Sequence, residues 1–244
     1  GTSSKPADAP PAAAAPASGG CPVKLGRSQE GQGDACPVKY KNPSAYNVYG
    51  EKLDSTNMMP AVAQQLPAPG QPAPLPTDRV VSGIAKGGTE STWVYPSEQM
   101  FYNALKRKGK GEDVRPEDVI RMVAIHNNMN EQTWRKILVW ERFHCKTCDD
   151  PRLLRFTGRP SDLSPKAQIK SLVGYGVPFD RHDWIVDRCG TEVRYIIDYY
   201  HDENLPADAQ LPAKHDMAAR TQILLDARPA LDSPGALWDR FRML

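Results

Sequence analysis

The stretch from Phe179 to Tyr200 restricts the fold more than any other part of the chain, because its apolar pattern and its turn residues agree on a β-hairpin. Val193, Tyr195, Ile197 and Tyr199 alternate with Glu192, Arg194, Ile196 and Asp198, the period of a half-buried strand. Cys189-Gly190 supplies a two-residue turn. If Arg188 pairs with Thr191, then His182, Trp184 and Val186 share a sheet face with Val193, Tyr195 and Ile197, and His182 becomes a histidine on an apolar face. Further strands are expected at Leu153 to Phe156 and at Gln222 to Asp226. One helix is expected from Ser97, or from Pro96 just before it, with Phe101, Ala104 and Leu105 facing inward. Others run from Ser164-Pro165 to Gly174, and after Pro229, where the last holds Leu237, Trp238 and Phe241. The fold class is therefore α+β: an antiparallel sheet of three to four strands with several packed helices.

The segment around His126 reads as two helices meeting at an elbow. Pro116 suits a first turn, and Val119, Met122, Val123 and His126 fall on one side of the first helix. Asn128 with Glu131 has the form of a capping box, and Trp134, Ile137, Leu138 and Phe143 would supply the stripe of the second. A neutral imidazole there can offer a ring nitrogen to a metal, although a lone histidine on an apolar face is more often hydrogen-bonded core. Trp93 and Tyr95 stand at alternating positions on an extended segment, suited to core or to flanking a flat ligand. Arg181, Arg188 and Arg194 can grip carboxylates bidentately, and salt bridges to Asp180, Asp183 or Asp187 account for them equally well.

The N-terminal third has a different character. Of 23 prolines many lie early, and residues 1–20 hold little but Ala and Pro after the opening residues, too little apolar surface to offset the entropy of ordering. The first residue is not methionine, which is compatible with processing, and the arginines of a mitochondrial presequence are missing. Cys21-Pro22-Val23-Lys24 recurs as Cys36-Pro37-Val38-Lys39. Each copy is a possible soft ligand for ferric haem iron or a chance pair in a polar segment. A Pro-rich linker follows. The expected organisation is a disordered segment over 1–76 and one domain over 77–244, its folded part beginning near Val80.

Five cysteines leave one unpaired in any intramolecular scheme, and with no secretory apolar region this argues against a disulfide-stapled extracellular protein. Cys145 and Cys148 could join a zinc site with Cys189 or His144, or form a redox dithiol, but a loop with unremarkable thiols is the plainer expectation. A net charge of +2 is too small to argue for nucleic acid. The basic run Lys106 to Lys110 reads as a solvated helix end. No apolar run approaches the ~20 residues that span a bilayer.

The paired Cys-Pro-Val copies, Trp93 through Ala104, His126-Asn127 through Glu131 with Trp134, and Phe179 through Trp184 and Arg188 through Tyr195 together resemble the holocytochrome c synthases, the cytochrome c haem lyases of mitochondria. The resemblance covers nearly the whole chain from Cys21 onward. It implies an enzyme of the intermembrane space, peripheral to the inner membrane, which joins haem b to the two cysteines of a Cys-x-x-Cys-His motif in apocytochrome c, and in cytochrome c1 where that is also accepted. It implies His126 as axial iron ligand; Trp93, Tyr95, Trp134 and Trp184 against the porphyrin; Arg188 and Arg194 toward propionates; Cys21 and Cys36 as further haem contacts. Glu131, His182 and Arg188 fall in the family's important segments, as direct contacts or as support behind them. The chemistry is one of positioning, since thiols held beside vinyl groups gain most of their rate from proximity. A non-catalytic haem sensor using Cys21 and Cys36 is the rival reading, and a nucleic-acid module resting on the basic run is a distant third.

Overall fold

The structure, a computed structural model, describes residues 65–109, 114–202 and 223–243. The Cys-Pro-Val copies with Cys21 and Cys36, and Lys110 and Gln222, lie outside the described residues. Strands β1 (Val81–Ala85) and β2 (Thr92–Val94) form a two-stranded antiparallel sheet. Helices α1 (Glu98–Arg107) and α2 (Pro116–Glu141) follow. Strands β3 (Arg152–Gly158), β4 (Asp180–Arg188), β5 (Thr191–His201) and β6 (Ile223–Pro229) form a four-stranded antiparallel sheet in that order. Helix α3 (Pro165–Leu172) connects β3 to β4, and α4 (Pro234–Arg242) closes the described chain. The α+β class and the antiparallel sheet agree with the sequence reading.

The hairpin has the expected register: Arg188 faces Thr191, Trp184 faces Tyr195 and His182 faces Ile197. Its turn residues Cys189 and Gly190 both take positive φ, 46° and 94°, as a two-residue turn compatible with strand twist requires. Trp184, Val186, Tyr195 and Ile197 have no solvent exposure and meet Trp134, Ile137 and Leu138 of α2 in the main core. Ser97, Ser164 and Ser233 cap α1, α3 and α4, each hydroxyl accepting from the amide three residues on.

Three expectations need correction. There is no elbow at His126. Pro116 to Glu141 is one helix of 26 residues, about 39 Å long, and His126 sits in its interior. Burial explains the difference: Val119, Val123, Asn127, Glu131, Trp134 and Ile137 continue one buried side straight through the supposed break, and packing along a whole face outweighs a local cap signal. Asn128 gives its side-chain oxygen to Gln132 rather than to a helix-start amide. In α1 the buried side chains are Glu98, Gln99, Tyr102 and Asn103 rather than Phe101, Ala104 and Leu105. The preceding segment claims that side, with Pro76 O accepting from Gln99 N, Leu66 O accepting from Asn103 Nδ2, and Leu75 packed on Tyr102 and Val119. The packed chain thus reaches back to Leu66, earlier than Val80.

Cys148 is the third correction, for it is no idle thiol: it forms a disulfide with Cys189, Cα atoms 5.6 Å apart, fastening the hairpin turn to the segment after α2. Closing a 41-residue separation stabilises by about 4 kcal/mol in the loop-entropy treatment. Reduction, or Cys148→Ser with Cys189→Ser, is therefore expected to lower Tm by roughly 10 °C. A melting curve unchanged by reductant would show that the pair is not joined. Among the described residues no group of three or more His, Cys, Asp or Glu gathers as a metal site, and no helix is long and apolar enough to cross a membrane. Lys106 and Arg107 occupy the last turn of α1, the position the dipole favours for cations.

Candidate functional site

One cleft opens between β2, α1, α2 and the β3–β4 edge, about 770 Å³ with the part open to solvent included. Its walls are largely aromatic: Trp93, Tyr95, Phe101, Phe156 and Trp184, with the two histidines His126 and His182 among them. Phe156 organises one side, its ring centroid 5.8 Å from Trp184, 6.3 Å from Trp93, and stacked 6.2 Å from His182. The hairpin register is what brings Trp184 and His182 to this wall, and the same face continues into the core below.

The two histidines are prepared differently. His126 Nδ1 lies 2.7 Å from the carbonyl oxygen of Met122, one turn back on α2. A carbonyl only accepts, so Nδ1 carries the proton and Nε2 keeps its lone pair. The ring is open to the cleft, its centroid 5.2 Å from that of Phe101 with the two planes tilted by 58°. Desolvation by the surrounding walls pushes its pKa below the ordinary histidine value, the nearby His182 adds to this, and the bond to Met122 and the charge of Asp180 only partly oppose it. The neutral, ligating form is favoured. His182 has both nitrogens occupied: Nε2 is 3.1 Å from Asp180 Oδ2, and Nδ1 is 3.5 Å from the Tyr199 hydroxyl. Burial tends to raise the Asp180 pKa, but the bond from His182 and the positive charge it can carry outweigh this and hold the carboxyl below its ordinary range.

Behind the cleft wall stands Glu131. Its Oε1 accepts from the Tyr95 hydroxyl at 2.9 Å, from Ser82 Oγ at 2.6 Å and from Gly83 N at 2.9 Å, so a single carboxylate joins α2, β1 and the Tyr95 wall. Burial, and then the charge of Glu131, push the Tyr95 pKa well above the usual phenol value, keeping the hydroxyl a donor. Asn127 Nδ2 and Trp184 Nε1, both from residues of the lining, are buried with no hydrogen-bond partner. Each such group costs about 1–3 kcal/mol, which an acceptor on a bound ligand would relieve.

Of the residues singled out in the sequence, Trp93, Tyr95, His126, His182 and Trp184 are brought together. Trp134 is buried in the core, away from the lining. Arg188 does not line the cleft; its guanidinium is bound bidentately by Glu141 at 2.7 and 2.9 Å, beside Tyr195 and Asp239, bracing the hairpin against α2 and α4. Arg194 is on the other sheet face, paired with Asp183 and Asp232. Phe156, Phe101 and Asp180 were missed. For Asp180 a signal was present: Asp-x-His on a strand puts both side chains on one face.

Comparison with known proteins gives the context of this site. The sequence profile of a family described as cytochrome c/c1 heme lyase matches residues 2–244. The holocytochrome c-type synthase of Bos taurus is 48% identical over 197 residues, 79% of this chain and 67% of that protein. That of Gallus gallus is 46% identical over 213 residues, covering 86% and 72%. The holocytochrome-c synthase of Saccharomyces cerevisiae is 36% identical over 248 residues, covering 91% and 84%. No solved structure matches. With the match running over nearly its whole length, the chain belongs to the cytochrome c/c1 heme lyase family.

Proposed function

We propose that this chain is a holocytochrome c synthase that holds haem b through His126 as axial iron ligand and joins its two vinyl groups to the cysteines of the Cys-x-x-Cys-His motif of apocytochrome c. The observation that carries the reading is the His126 tautomer: Nδ1–H bound to Met122 O, with Nε2 left as a lone pair facing an aromatic cleft. The His182 nitrogens are both engaged, which favours His126 as the ligand and His182 as support.

Each thiol adds across a vinyl double bond. A C–S bond forms, the π bond breaks, and the thiol proton ends on the vinyl carbon that does not take sulfur, with no net oxidation. The protein contributes geometry: the aromatic walls hold the macrocycle while the motif histidine of apocytochrome c takes the opposite axial position and sets both thiols in register. Since product has to leave, the His126 bond is the one given up. In the cell the enzyme would work in the mitochondrial intermembrane space, peripheral to the inner membrane, on apocytochrome c and in some settings cytochrome c1.

Mixing the purified chain with ferrous haem and reduced apocytochrome c tests this. The expected outcome is haem that stays with cytochrome c through acid-acetone extraction. Haem bound by the chain but wholly extractable from cytochrome c would favour the sensor reading instead.

A further inference from the structure

Haem carries two carboxylates as well as an apolar macrocycle, and the cleft described above is almost wholly apolar. Cations on the strands and segments that build it sort sharply by what they already hold. Arg188 is committed to Glu141, and Arg194 to Asp183 and Asp232. Arg181 is bound by Asp183, and Arg152 by Asp150 and Glu90. Arg79 donates to the main-chain carbonyls of Tyr95 and Val94. Lys86 differs: its ammonium stands 5.6 Å from the ring centroid of Trp93, a wall of the cleft, and has no carboxylate partner among the described residues.

Its place along the cleft is equally distinct. The Lys86 backbone forms a bridge with Leu153, and the Trp93 indole donates to Leu153 O at 3.1 Å, so Lys86 and Trp93 stand at the Leu153 end of β3. His182 faces Gly158, at the other end. Five residues of extended strand separate the two, about 16 Å. The apolar wall of Trp93, Leu153, Phe156 and Trp184 spans the interval. One end of this wall thus carries an uncommitted cation and the other His182.

Resting on the haem reading above, we propose that Lys86 receives a haem propionate, so that the macrocycle enters with its carboxylate edge at the Lys86–Trp93 rim. On protohaem the vinyl groups lie away from the propionate edge, so they point toward Phe156 and His182, where the thiols of apocytochrome c must then arrive. The cation–π contact keeps the ammonium poised on Trp93, and a carboxylate arriving there replaces water as its partner.

The test compares iron protoporphyrin IX with its dimethyl ester, which has the same macrocycle and vinyl groups but no carboxylate charge, both titrated into the full chain and followed by the Soret band. The intact protein should bind the diacid about tenfold more tightly. In Lys86→Gln that preference should vanish, the diester affinity staying unchanged, and Lys86→Arg should restore it. A Lys86→Gln protein that keeps the full preference, with its His126-dependent Soret band intact, would overturn the assignment while leaving the haem reading standing. If the unaltered chain bound neither porphyrin, both would fall.

Discussion

Replacing His126 with alanine is expected to remove the Soret band of bound haem and to weaken haem binding by on the order of a hundredfold or more, since even the residues that merely orient a metal ligand are worth 10–100-fold. Far-UV circular dichroism should stay unchanged. The position is interior to α2 and the side chain opens into the cleft rather than the core, so truncation leaves little cavity and alanine is the better helix former. Added imidazole should return part of the spectrum by filling the vacated space. A variant with full haem occupancy and an unaltered spectrum would remove His126 from the site.

The same histidine sets a pH window. Its folded pKa is depressed, chiefly by desolvation, so the folded protein binds fewer protons there than the unfolded chain. Protonation opposes both folding and ligation, and the penalty grows as pH falls below the ordinary histidine value of about 6.5. Above that value it is absent. Haem ligation should therefore persist through pH 6.5 and fail only at lower pH. A midpoint at or above 6.5 would contradict the depressed value.

Local chemistry made much of this fold legible. The Cys189-Gly190 turn, the alternation on either side of it and the serine caps at 97 and 164 are signals carried by a few adjacent residues, and each appears where expected. The continuous α2 was misread because Asn128 and Glu131 imitate a helix start, whereas Asn128 accepts from Gln132 one turn on in the same helix and Glu131 is engaged by β1, a partner that only tertiary packing supplies. Arginine roles were equally illegible: nothing local to Arg188 announces Glu141, which is 47 positions away. The cleft was half visible. Its tryptophans and histidines carry strong residue signals, whereas Phe101 and Phe156 read as ordinary apolar positions and Lys86 as an ordinary surface cation until Leu153 and Trp93 meet beside it.

Glu131 should produce the largest loss of stability of any single substitution near the site. Glu131→Ala leaves the Ser82 hydroxyl, the Gly83 amide and the Tyr95 hydroxyl without their acceptor, and Ser82 and Tyr95 are 3% and 7% exposed. At about 1–3 kcal/mol for each stranded buried group, partly relieved by relaxation and by the Ser82–Tyr95 contact, the sum is on the order of 3–5 kcal/mol. That corresponds to a fall in Tm of roughly 10 °C or more. Haem binding should fall with it, because the carboxylate ties the Tyr95 wall to α2, and this coupled loss separates Glu131→Ala from His126→Ala. Gly83→Ala approaches the same cluster from the other side: a Cβ there would stand 3.0 Å from Glu131 Oε2, so the carboxylate must shift and a smaller loss is expected. Since the Tyr95 pKa is raised by burial and by Glu131, the phenol's contribution is full below its ordinary pKa of about 10 and declines as pH rises past it. Thermal melts of Glu131→Ala, Gly83→Ala and the parent at neutral and high pH decide the matter, and a Glu131→Ala protein that melts with the parent would show that the cluster does not hold the cleft together.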